Sequence, residues 1–162
     1  MTQEERNEKI ESYGNAYKNL IAALNELPKE MWQFKPSPAE WSIHEIIIHI
    51  ADSETNSYIR CRRFIAEPGT MVMGYNQDLW ASELNYHDQN IEDALELFRL
   101  LRLTTYKLIK SIPLQTWANI VEHSESGIIT MNDWLNIYER HIPIHIAQMN
   151  RNFENWKKQK AQ

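Results

Sequence analysis

Trp41-Ser42-Ile43-His44-Glu45-Ile46-Ile47-Ile48-His49-Ile50-Ala51-Asp52 is the stretch on which the fold turns. Its β-branched run, Ile46-Ile47-Ile48, suits a buried strand as well as a helix. The surroundings favour helix. Ser42 and Glu45 have the Ser-x-x-Glu spacing of a capping box, in which each side chain bonds the other's backbone N–H. Ile43, Ile46, Ile47, Ile50, Tyr58, Cys61, Phe64 and Ile65 then hold one apolar face far past the ~5–6 residues of an ordinary strand. Pro68-Gly69 stops the run near Ala66.

The segments on either side repeat this pattern. Thr2 with Glu5 opens a first helix to about Leu27, with Ile10, Tyr13, Tyr17, Leu20, Ile21 and Leu24 on its apolar stripe. Pro28 ends it, a short turn follows over 29–32, and Pro36 and Pro38 keep the chain extended. A third long helix runs from Asn90 to about Ile112 with the stripe Ile91, Ala94, Leu95, Phe98, Leu101, Thr105 and Leu108, and Pro113 closes it. After a short turn over 114–120 and a loop holding Gly127, Thr130 with Asp133 caps the fourth. Its inward face reads Trp134, Ile137, Tyr138, His141, Ile144, His145, Gln148, Met149, Asn152 and Trp156. Residues 67–89 are irregular but too apolar for a solvated linker. They are expected to fold over one end of the bundle as a rim, with a short helix near Asn76–Glu83. The expected fold is one all-α domain over 1–162, a four-helix bundle whose long link can cross it.

Composition narrows the function classes. The 162 residues carry a formal charge of −5, which offers no basic stripe to nucleic acid. No apolar run approaches the ~20 residues of a membrane span, and Met1-Thr2-Gln3-Glu4-Glu5-Arg6 has no signal-peptide pattern. The single cysteine, Cys61, forms no intrachain disulfide. The expected location is cytoplasmic, and the expected partner is a small molecule.

Chemistry concentrates in Tyr138-Glu139-Arg140-His141-Ile142-Pro143-Ile144-His145. Residues i and i+4 of a helix lie about 40° apart, one turn above each other, so His141 and His145 can converge on one ion. His49, on the apolar second helix, is the candidate third ligand. A lone histidine on such a face is by default a hydrogen-bonded core residue; a pair in one buried patch gains from a shared cation. His44, about 140° from His49 on the wheel, is expected to be exposed. His87 and His123 read as loop histidines near the rim. Glu45 is a candidate carboxylate ligand or general base, although its capping role competes. Asp52, Ser53 and Gln148 are placed to hold an imidazole N–H, and Tyr138 to pack in the core. Pro143 removes a helix hydrogen bond between the two histidines, either aiming them or simply being tolerated.

These residues also carry a family resemblance. Trp41-Ser42-Ile43, His49-Ile50-Ala51-Asp52, Tyr75-Asn76-Gln77-Asp78-Leu79-Trp80-Ala81, the segment from His123 to Thr130, and His141-Ile142-Pro143-Ile144-His145-Ile146-Ala147-Gln148 occur in the order and spacing of the DinB/YfiT-like superfamily. The chain resembles that family over nearly its whole length. The resemblance implies an up-down-down-up bundle, a divalent ion (nickel or zinc) on His49, His141 and His145, and a homodimer. It also implies either a transferase or isomerase using a low-molecular-weight thiol, or a metal-dependent hydrolase.

The leading expectation is therefore a metal-dependent enzyme with an open coordination position and with Tyr75 and Trp80 in the pocket wall. Cys61 lies about 18 Å along the helix from His49, so any nucleophilic sulfur belongs to a cosubstrate. A non-catalytic metal-stapled bundle and a metal-free interaction bundle are the alternatives.

Overall fold

The computed structural model describes residues 1–161. Four long helices, α1 (Gln3–Asn25), α2 (Ile43–Ala66), α4 (Ile91–Ile109) and α5 (Met131–Lys160), form the bundle, and a short α3 (Gln77–Glu83) lies in the link. Thr2, Ser42 and Thr130 make full capping boxes with Glu5, Glu45 and Asp133. Each box satisfies two N–H groups that helix geometry leaves without a partner. The Ile46–Ile48 run is helical throughout.

Side-chain bridges fix the helix directions. Arg6 bonds Asn132, Ser12 bonds Glu139 and Lys160 bonds Glu30, so α1 and α5 run parallel. Glu54 meets Arg102 and Arg62 meets Thr105, so α2 and α4 also run parallel. Trp41 meets Asn152 and Arg60 meets Tyr138, which makes α2 and α5 antiparallel. The order is up-down-down-up: α1 packs on α4 and α5, and α2 on the same two. Parallel neighbours α2 and α4 require a link that travels the bundle's length, and residues 67–90 provide it.

The irregular connections are more ordered than periodicity suggests. Gly127 lies not in a loop but at the end of a hairpin, where its φ of 71° suits a residue without Cβ. Strand β2 (Ile120–His123) pairs antiparallel with β3 (Gly127–Thr130), and β1 (Met71–Val72) adds to β2 in parallel. Along β2 exposed and buried residues alternate, placing Val121 and His123 inward. The bundle thus carries a small three-stranded sheet that ties the crossing link to the start of α5.

Two apolar clusters fill the bundle. One gathers Leu20, Ile46, Ile47, Phe98, Ile142 and Met149; the other gathers Tyr13, Phe64, Trp117, Val121, Met131 and Trp134 beside the sheet. Along α2 and α4 a polar layer separates them: Glu54 and Ser57 on one, Arg102 and Thr105 on the other. Arg102 Nη2 donates to Glu54 Oε2 at 2.6 Å, and Nη1 to the Tyr138 carbonyl. The Tyr13 hydroxyl donates to Glu54 Oε1 at 2.6 Å, and the guanidinium lies 3.9 Å above the Tyr13 ring. The buried positions of α4 are Ala94, Phe98, Arg102, Thr105 and Ile109, with Leu101 and Leu108 only half-buried. On α5, Ile137 and Ile144 face outward rather than inward, at 53% and 59% exposed. Pro143 is exposed in an unbroken helix, on the side where water can satisfy the carbonyl it leaves free.

Candidate metal centre

His49 projects from the second turn of α2 and His141 and His145 from the middle of α5, so the antiparallel packing brings three rings to one place. Ring centroids are 5.4 Å apart for His49 and His141, 5.0 Å for His49 and His145, and 4.5 Å for His141 and His145. One ligating atom from each lies within 4.8 Å of the other two. Among the described residues no fourth His, Cys, Asp or Glu joins this group.

The donor set fits a cation. Gln148 Oε1 lies 2.9 Å from His145 Nδ1; an amide oxygen only accepts, so Nδ1 carries the proton and Nε2 presents its lone pair. That Nε2 is 3.1 Å from His141 Nε2, a separation at which two ring nitrogens share either a proton or an ion. Nδ1 of His49 and of His141 are buried with no hydrogen-bond partner. Burial depresses the basicity of all three rings: His49 falls to about 3, with the neighbouring His145 adding to the effect, and His141 lies well below its ordinary value. His145 is also lowered by burial, which its bond to Gln148 partly offsets. The rings are therefore neutral at neutral pH, the form that ligates metal.

A pH dependence follows. Between pH 6.5 and about 3 the unfolded chain binds a proton at position 49 that the folded chain refuses, so stability falls as pH falls through that window. In chelator-treated protein the loss due to His49 is expected to be roughly 1 kcal/mol per pH unit. Urea unfolding of wild type and His49→Gln from pH 7 to 4.5 measures it, and equal slopes would contradict it.

The other candidate residues divide. Gln148 stands against His145 as expected, and Tyr75 lines the pocket beside the histidines. Trp80 does not line it: α3 turns the indole toward the bundle core, 4.5 Å behind the Tyr75 ring. Asp52 holds no imidazole, because its Oδ2 accepts from the Tyr86 hydroxyl at 2.5 Å. Glu45 joins neither the ligand group nor the pocket. Burial pushes its carboxyl up, but the Ser42 N–H and the Lys35 ammonium outweigh it, and both oxygens are engaged. His44 is buried rather than exposed, since the links around 33 and 89 close over it: Nε2 donates to the Gln89 carbonyl and Nδ1 accepts from Gln33.

His145 and Gln148 line a cavity beside Trp41 and Asp78, while His49 and His141 line a second pocket, of about 500 Å³, whose wall also includes Ser53, Arg60, Asn76, His123 and Tyr138. Three of these carry chemistry that periodicity did not single out. Arg60 lies eleven residues after His49, three turns along the same stripe through Ser53, and that spacing was the available signal. Tyr138 is buried as expected, yet its hydroxyl reaches the pocket and accepts from Arg60 Nη1 at 2.9 Å. His123 is placed by β2; its Nδ1 accepts from the backbone N–H of Glu125 and Ser126, so Nε2 carries the proton. Nothing in its spacing announced this, because the hairpin that aims it is only four residues a side. Trp41 covers His49 from behind at 4.7 Å.

A helical bundle with a three-histidine cluster at an open pocket defines a class, and comparison with known proteins places the chain in it. The model of the DinB superfamily matches residues 13–149, and the chain belongs to that superfamily. A protein of Oceanobacillus iheyensis named "Putative metal-dependent hydrolase" is 29% identical over 140 residues, covering 86% of this chain and 79% of its own. One of the same description from Bacillus cereus is 24% identical over 140 residues, with 85% and 80% covered. The solved structure of YfiT from Bacillus subtilis, described as having an unusual four-helix bundle topology, superposes with a TM-score of 0.88. It covers 97% of this chain and 90% of that one at 20% identity, a likeness of fold. No described helix is long and apolar enough to cross a membrane.

Proposed function

We propose that this chain is a divalent-metal-dependent enzyme acting on a small molecule, with His49, His141 and His145 as its protein ligands. The observation that carries this is the triad's setting: three neutral imidazoles with no fourth protein ligand among the described residues, two of them, His49 and His141, on the wall of an open pocket. A structural ion is normally closed by four protein ligands, whereas a catalytic one keeps a position for water or substrate. A divalent ion there, zinc or nickel, supplies a Lewis acid.

The chain's own residues supply the rest. Gln148 fixes the orientation and tautomer of His145. The proton on His123 Nε2 and the hydroxyls of Tyr138 and Tyr75 offer hydrogen-bond donors along the wall. Cys61 supplies no nucleophile: it is buried, and burial pushes its thiol up to about 12. Thiol transfer on this site thus requires a low-molecular-weight thiol as cosubstrate, while hydrolysis requires only water.

The test is a screen of zinc- and nickel-loaded protein against model esters and amides, alongside low-molecular-weight thiols with electrophilic cosubstrates. Turnover in one arm, lost on chelation and restored by metal, is the expected result. Stoichiometric metal with no turnover in any arm would instead mark the ion as a staple.

A further inference from the structure

Arg60 is a guanidinium in the pocket wall with no ion-pair partner among the described residues. Its two recorded bonds go to neutral oxygens, the Tyr138 hydroxyl and the Met73 carbonyl. Of five N–H donors, three therefore remain. Arg102, buried in the bundle, is by contrast ion-paired with Glu54.

The surroundings are those of an anion subsite. Arg60 is half-buried and lines the same pocket as His49 and His141. The Tyr138 hydroxyl, having accepted from Arg60, keeps its proton for another acceptor. Among the described residues the pocket's one carboxylate is Glu125, which is exposed. Two fixed points hold the guanidinium, one on α5 and one on the crossing link, so little rotamer freedom remains to be lost on binding.

We propose that Arg60, with the Tyr138 hydroxyl, recognises a carboxylate on the substrate and sets the distance from that group to the atom presented to the histidine triad. This rests on the reading of the pocket as a substrate site and names the class of molecule it takes: a small carboxylic acid. The guanidinium's planar fork matches the two oxygens of a carboxylate. Arg60 is thereby a specificity-determining residue, distinct from the three ligands.

The experiment measures binding rather than turnover. Succinate, glutarate and phenylacetate, each beside its own amide, and methyl phosphate are titrated by calorimetry into chelator-treated and zinc-loaded protein. At least one acid is expected to bind about tenfold or more tighter than its amide in both states. Arg60→Gln should remove that preference while leaving amide binding and zinc content as in wild type, and Arg60→Lys should restore part of it. Equal binding of every acid and its amide by wild type would overturn the proposal without recourse to any variant. So would an acid preference that survives Arg60→Gln. Methyl phosphate binding tighter than every carboxylate would overturn the ligand class. The metal reading fails separately, on zinc content: wild type without bound zinc would refute the triad, while the chelator-treated titration still decides the role of Arg60.

Discussion

His145→Ala is expected to abolish stoichiometric metal binding, taking zinc from one ion per chain to trace by elemental analysis of untagged protein. His145 is the ring whose lone pair is committed: Gln148 holds its Nδ1 proton, and its Nε2 points at His141. Removing it leaves two ligands on different helices, too few for the closed or catalytic sites zinc adopts in proteins. The variant also separates metal-linked stability from intrinsic stability. An ion present at a thousand times its dissociation constant stabilises the fold by about 4 kcal/mol. At this chain length that amounts to roughly 8–16 °C in melting temperature. Wild type should show that difference between loaded and chelated forms, and His145→Ala should show none. Retention of one zinc per chain would mean the ligands lie elsewhere.

Arg102→Met should cost about 3–5 kcal/mol of stability, because it leaves the Glu54 carboxylate buried and uncompensated. Glu54 is 0% and Arg102 1% exposed, so water cannot replace the lost partner. Urea unfolding measures the loss. Arg102→Met combined with Glu54→Leu removes both charges together and should recover much of it, since the desolvation cost disappears with the pair. A single variant costing under about 1 kcal/mol would show the pair to be solvated in solution.

The bundle and the triad were legible because both rest on helical periodicity. Three capping boxes and the run of apolar stripes locate the long helices, and the same 3.6-residue geometry that stacks His141 on His145 places His49 inward. What escaped was set by tertiary context. Arg102 occupies an inward position of α4, but a single sequence treats a charged residue as surface until its partner, forty-eight positions away, is known. Asp52 and His44 went to Tyr86 and to Gln33 and Gln89, all in or beside links whose path periodicity does not describe. The hairpin at 120–130 was missed because strands of four residues give too few alternations to outweigh their turn.

The crossing link and the hairpin, which contribute Tyr75, Asn76 and His123 to the pocket, sit outside the four-helix frame. Two short strand pairings, a few hydrogen bonds and the burial of Val72, Tyr86 and Val121 fasten that part of the wall. Natural variation there can alter what enters the cavity at little thermodynamic expense, while the rods that carry the imidazoles stay as they are. Unlike Arg60 and Tyr138, which the helices carry, the pocket side chains of the link and hairpin are in this way inherited separately from the frame, an arrangement under which one scaffold can diversify into many chemistries.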